Sequence, residues 1–196
     1  MPNSNLQLAS RSRNGPHLQL IPRVVWLTGL SGAGKSTLAK GVQVACNESS
    51  MPAVILDGDD IRAGLSRGLG FSNEDRTENI RRIAEVARLL RAQGVTALVA
   101  AVTPLRKHRA LARDIVGEPF CEVFVDAPLS VCEGRDVKGL YARARRGEIL
   151  QFTGVSDVYE PPLDPNLLID TSTCDIPTAV HRLISWLAIK KDGVAT

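Results

Sequence analysis

The chain has 196 residues, 44% of them apolar and 23% charged, a make-up that suits one globular domain with a real core and excludes a disordered or fibrous chain. A net charge of +3 is mild; it fits an anionic small molecule and argues against the strongly basic face of a nucleic-acid binder. Cys46, Cys121, Cys132 and Cys174 form no C-x-x-C pair and no metal spacing with His17, His108 and His181, so the thiols read as idle in a reducing compartment.

Residues 1–22 are polar, with Ser, Asn, Gly and Pro, and lack the roughly 7–15-residue apolar core of a secretory signal. They are expected to be a flexible lead-in to a single domain over 23–196. No apolar run approaches the roughly 18 residues of a membrane span, so no membrane partner is expected and the cytoplasm is the expected location.

Arg23 to Thr28 reads as a first strand, apolar enough for a central parallel strand covered on both faces. Next come Gly29-Leu30-Ser31-Gly32-Ala33-Gly34-Lys35-Ser36, then Thr37 and a helix-compatible segment to about Asn47. This is G-x-x-x-x-G-K-[ST] in its required setting of strand, turn and helix. The glycines let the backbone curl so that successive N–H groups point at phosphate oxygens. The helix start adds unsatisfied N–H groups and the positive end of its dipole. Lys35 is placed to reach terminal phosphates and the Ser36 hydroxyl to ligate Mg²⁺. A glycine-rich turn that merely precedes a helix would not meet all these requirements together, so the stretch reads as a nucleoside-triphosphate site.

A second strand, Ala53 to Leu56, ends in Asp57-Gly58-Asp59-Asp60. Strands of an open parallel sheet deliver their carboxyl ends to the ligand crevice, which puts these acids on its rim. Asp59 is the candidate for orienting a nucleophile, and Asp60 reads as an N-cap. Gly64 to Ser72 is glycine-rich and irregular. Asn73 to Gln93 carries Ile80, Ile83, Ala84, Ala87 and Leu90 at three- and four-residue spacing, a helix stopped by Gly94.

Val95 to Val102 reads as a third strand, and Thr103-Pro104 turns into a helix near Leu105. Phe120 to Val125 is a fourth strand ending at Asp126, and Leu129 to Arg135 a short helix. Lys138 to Gln151 is rich in Lys and Arg, with a single Glu. It reads either as a solvated amphipathic helix or as a lid over about 138–152 that closes on phosphates and excludes water. Leu167 to Asp170 is a fifth strand, and Asp175 with Pro177 opens a last helix to about Lys190. The expected fold is α/β, an open parallel sheet of about five strands of the P-loop NTPase type, with helices on both faces and a basic lid.

The strings LDGDDIRAGL, LGFSNEDRTENIRR, EVFVDAPLSVCEGRDVKGLY, ARRGEILQFTG and YEPP, in this order between Trp26 and Asp170, resemble the adenylyl-sulfate kinase family. Its members phosphorylate the 3′-hydroxyl of adenylyl sulfate. The resemblance implies ATP and Mg²⁺ at Gly29 to Thr37, with Lys35 catalytic and Arg135 against the ATP adenine. It implies Asp59 as guide to the hydroxyl and, with Ser36, as metal residue, and Asp57 on the acceptor side. Arg62, Arg76 and Asn79 match positions that hold phosphosulfate and ribose; Phe71 and Phe152 match two aromatics that sandwich the acceptor adenine. Two Phe residues in Gly-flanked loops also make poor core candidates. Lys138 and Leu140 match the start of the lid. Family members are often dimers, so a homodimer and a functional partner in ATP sulfurylase are the implied associations.

Some positions depart from the family pattern. Thr103 stands where bacterial members carry a serine described as a phosphorylated intermediate; it keeps a hydroxyl and counts among the candidate catalytic residues. Its extra methyl restricts its rotamers, and direct in-line transfer needs no such group. Ala63 replaces a common His and Asp60 an Asn, while Ala101 and Leu105 replace aromatics, changes expected to widen or depolarise one wall of the acceptor pocket. Two other readings remain open: a kinase of another adenosine nucleotide, and a non-catalytic nucleotide-binding subunit of a sulfurylase.

Overall fold

Apolar runs that are continuous, not alternating, have to be covered on both faces, and the sheet obeys this. The computed structural model describes residues 22–189, so the expected lead-in and His17 lie outside the described residues. In chain order the first elements are β1 (Val24–Thr28), α1 (Lys35–Glu48), β2 (Ala53–Asp57), α2 (Gly58–Ala63), α3 (Asn73–Ala92) and β3 (Thr96–Ala100). Then follow α4 (Arg106–Val116), β4 (Phe120–Asp126), α5 (Leu129–Arg135), α6 (Leu140–Arg145), β5 (Leu167–Asp170) and α7 (Ile176–Ile189). All five strands are parallel, in the order β2-β3-β1-β4-β5.

The two-residue period of β1 divides the core into two layers. Val25 and Leu27, with Leu98, Val123 and Val125, pack under Leu38, Ala39 and Val42 of α1 and Leu183 and Leu187 of α7. Val24 and Trp26, with Ala97 and Val99, pack under Ile80, Ile83 and Ala87 of α3 and Ala112 and Val116 of α4. The α3 stripe is the one its spacing predicts. β1 therefore has no face on solvent, and the phosphate-loop sequence leaves the carboxyl end of the sheet's central strand.

Most expected boundaries hold within two residues. Three expectations change. Asp57, the last residue of β2, is the N-cap of α2, accepting the Asp59 N–H at 3.0 Å, while Asp60 lies exposed in the first turn. Ala101 is buried in the layer with Trp26 and Val99, so it packs the core and does not face an acceptor. The basic stretch after Lys138 contains only the six-residue α6. Among the described residues, no helix is long and apolar enough to cross a membrane.

Candidate active site

Gly29 turns the chain out of β1 with φ +150°, and a Cβ there would stand 2.1 Å from the Val125 carbonyl oxygen. Only glycine fits. From this point each carbonyl of the loop accepts from a protein donor. Lys35 Nζ donates to Gly29 O at 2.9 Å and to Leu30 O at 2.7 Å. Tyr141 Oη donates to Ser31 O at 2.9 Å, Arg135 Nη1 to Gly32 O at 3.1 Å, and Thr171 Oγ1 to Ala33 O at 2.8 Å. In a trans peptide the N–H lies opposite the carbonyl, so these five bonds turn the N–H edge of the loop the other way. That edge, at the start of α1, is the anion-binding side. Arg135 also donates to the Thr171 carbonyl at 2.7 Å, bracing the loop from behind.

Lys35 is buried, and burial pushes its ammonium down to about 8, against the pull of the nearby carboxylates Asp57 and Asp59. Ser36 follows on α1 and donates its hydroxyl to Asp57 Oδ2 at 2.5 Å. Thr37 is exposed one residue further on. The pair of hard oxygens from Ser36 and Asp57 fits Mg²⁺, which is held by one or two carboxylates together with substrate phosphates. No cluster of three His, Cys, Asp or Glu residues exists among the described residues, and such a site needs none. Asp59, the acid expected at the metal, is exposed and accepts from Lys138 Nζ instead. That bond raises the Lys138 pKa. Leu140, half-buried, opens α6 two residues later.

Of the other expected ligand residues, Phe71 and Arg76 line a cleft of about 400 Å³ together with Leu105, Gln151 and Asp157 among others. Phe71 is 51% exposed, and the Arg62 guanidinium lies 4.4 Å above its ring while donating to Gly70 O at 2.7 Å. Arg76 ties the two sides of the cleft: it donates to Phe71 O at 2.9 Å and Gln151 O at 2.8 Å and pairs with Asp157 at 3.2 Å. Asn79 is buried one turn along α3, its amide oxygen without a partner among the described residues. Phe152 is not a free loop aromatic; it packs half-buried against the core, edge-on to Tyr141 at 4.9 Å.

Two expected groups do not line this cleft. Thr103 is 2% exposed, its hydroxyl accepting from Trp26 Nε1 at 2.9 Å and donating to Ala101 O at 3.4 Å. The hydroxyl is engaged inside the core, an arrangement that does not support the expected catalytic role. The arginines after Lys138 do not reach inward: Arg145 pairs with Glu133 at 2.8 Å, and Arg146 and Arg143 with Glu148 at 2.6 and 3.3 Å. The sequence reading also missed Tyr141 and Thr171, and Asp136, whose carboxylate accepts the N–H groups of Tyr141 and Ala142 at 3.0 Å each and fixes the start of α6.

The family model described as adenylylsulphate kinase matches residues 21–170. The chain is 55% identical over 164 residues to the adenylyl-sulfate kinase of Paraburkholderia xenovorans, across 84% of this chain and 92% of that one. It is 55% identical over 167 residues to the adenylyl-sulfate kinase of Pseudomonas aeruginosa, across 85% of each. Among solved structures, the Mycobacterium tuberculosis APS kinase CysC in complex with AMPPNP and APS is similar with a TM-score of 0.83 at 46% identity, covering 86% of this chain and 98% of that one. On sequence and fold together, the chain belongs to the adenylyl-sulfate kinase family.

Proposed function

We propose that the protein transfers the γ-phosphoryl group of ATP to the 3′-hydroxyl of adenylyl sulfate, giving ADP and 3′-phosphoadenylyl sulfate. The observation that carries this reading is that α2, which opens at the acidic rim with Asp57 bonded to Ser36 of the phosphate-loop helix, carries Arg62 4.4 Å over the Phe71 ring. On one side stands a loop whose carbonyls all face the protein; on the other, the cleft bordered by Phe71 and Arg76. The Asp59–Lys138 pair lies on the rim.

The loop N–H groups and Lys35 bind and orient the ATP phosphates, with Arg135 beside the adenine. Ser36 and Asp57 would hold Mg²⁺, which would supply positive charge against the charge that develops on the ATP phosphates. Asp59 accepts a hydrogen bond from the acceptor hydroxyl, orients its oxygen in line and takes its proton. Lys138 brings a positive charge to the same place and, with Leu140, carries α6 over it. Phe71 stacks on the acceptor adenine, and Phe152 closes the opposite side. Arg62, bonded only to carbonyls, keeps a charge for the phosphosulfate, whereas Asp157 already balances Arg76. Arg76 and Asn79 shape the ribose end.

The test is turnover of ATP with adenylyl sulfate, AMP or adenosine as acceptor. 3′-Phosphoadenylyl sulfate is the expected product, and Lys35→Ala is expected to abolish it. Higher kcat/KM for AMP or adenosine would overturn the reading.

A further inference from the structure

Tyr159 and Glu160 touch none of the reacting groups, yet their segment is bonded at four points to the turn between β3 and α4. The Glu160 N–H donates to Pro104 O at 2.8 Å. The Glu160 carboxylate accepts the Arg106 N–H at 2.8 Å, and Arg106 Nε donates to Pro161 O at 3.0 Å. Arg109 Nη2 donates to Glu160 O at 2.6 Å. α4 has no side-chain cap of its own at Leu105, so Glu160 supplies one from 54 residues away, at the positive end of the helix.

Arg109 works at the centre of this arrangement. It is buried, paired through Nε with Glu122 of β4 at 2.8 Å, and its Nη1 donates to Thr103 O at 2.8 Å. Thr103 has φ +44°, a conformation that a β-branched residue rarely adopts. Such a backbone persists where its surroundings over-determine it. Trp26 on the hydroxyl and Arg109 on the carbonyl do so here. The bend sends the chain from β3 into Pro104 and Leu105, which line the cleft that Phe71 borders. Ser156 and Asp157, just ahead of Tyr159, line the same cleft. The two clamped segments are therefore two walls of one pocket.

We propose that Arg109 and Glu160 are positioning residues for the acceptor, fixing the separation of the Pro104–Leu105 wall from the Ser156–Asp157 wall without touching the ligand. The inference rests on the reading that adenylyl sulfate occupies this cleft. A misplaced wall weakens acceptor binding and leaves the phosphate loop, braced by Tyr141, Arg135 and Thr171, undisturbed.

The experiment measures KM for adenylyl sulfate, KM for ATP and kcat in Glu160→Ala, Glu160→Gln and Arg109→Lys, with folding followed by circular dichroism. Glu160→Ala and Arg109→Lys are expected to raise the acceptor KM roughly tenfold and to leave the ATP KM within about twofold. Glu160→Gln keeps an oxygen for the Arg106 N–H and is expected to restore the acceptor KM. Equal movement of both KM values, or an unmoved acceptor KM in a folded variant, would overturn the proposal. Should Arg109→Lys fail to fold, the Glu160 pair decides. Wild-type protein that makes no product from adenylyl sulfate would overturn the proposed function, and the positioning role with it; wild-type turnover with an unmoved acceptor KM in the variants would overturn the positioning role alone.

Discussion

The Ser36 hydroxyl donates to Asp57 Oδ2 at 2.5 Å, joining the first turn of α1 to the last residue of β2. The other Asp57 oxygen caps α2. Asp57→Asn keeps an oxygen for the cap and removes the charge, so the fold is expected to survive. Its kcat is expected to fall by roughly a hundredfold, with more MgCl₂ needed for half-maximal rate. Asp59→Asn is expected to lower kcat with the magnesium titration unchanged. Initial rates over a magnesium series distinguish the two acids.

Thr103 is predicted to remain unphosphorylated. Its hydroxyl serves Trp26 Nε1 in the core, and Thr103→Val leaves that buried N–H without a partner. The expected loss is about 1–3 kcal/mol in urea unfolding, with turnover within about threefold of wild type. Peptide mass mapping after incubation with ATP is expected to find no phosphate at position 103; a phosphothreonine there would sink the assignment.

Phe71 is half in solvent, so its removal costs little stability. Base stacking on an aromatic is worth about 1–3 kcal/mol, which sets the expected rise in acceptor KM for Phe71→Ala at about tenfold to a hundredfold. The ATP KM is expected to stay put. Parallel titrations of the two substrates check this, and an equal rise in both would remove Phe71 from the acceptor side.

The titration of His108 couples stability to acid pH. Thr77 Oγ1 donates to Asn73 O at 2.7 Å and so receives the His108 Nε2–H at 3.2 Å, while Nδ1 has no partner among the described residues. Burial, then the charges of Lys107, Arg76 and Arg109, push the imidazole down to about 4 from 6.5. Between those values the unfolded chain binds a proton that the folded chain refuses, so stability is present above about pH 6.5 and lost as pH falls toward 4. The contribution is up to about 3 kcal/mol. Urea unfolding of wild type and His108→Gln at about pH 7 and about pH 4.5 is expected to show the smaller acid loss in the variant.

The parallel sheet was legible because Val24–Thr28 and Thr96–Ala100 are apolar except for one Thr each and are buried throughout. The phosphate loop was legible because its glycines answer a local backbone demand. The family resemblance is borne out over most of the chain. Thr171 and Tyr141 were invisible because single hydroxyls carry no pattern, and their bonds to the loop span 138 and 110 residues. Among the acids after β2, composition could not say which one meets Ser36; the signal available was position, since Asp57 ends the strand. The partners of the basic stretch were not legible because its arginines pair with residues such as Glu133 on another helix, which periodicity does not report. Thr103 misled because the sign of φ is not written in a side chain.

Tyr141 has a consequence for how the two nucleotides affect each other. Its hydroxyl holds Ser31 of the phosphate loop and its ring edge meets Phe152, so one stiff side chain of α6 links the two. A displacement of α6 would therefore act on Ser31 and Phe152 together. Any free energy transmitted along this path is reciprocal: the factor by which ATP changes the affinity for adenylyl sulfate equals the factor by which adenylyl sulfate changes the affinity for ATP.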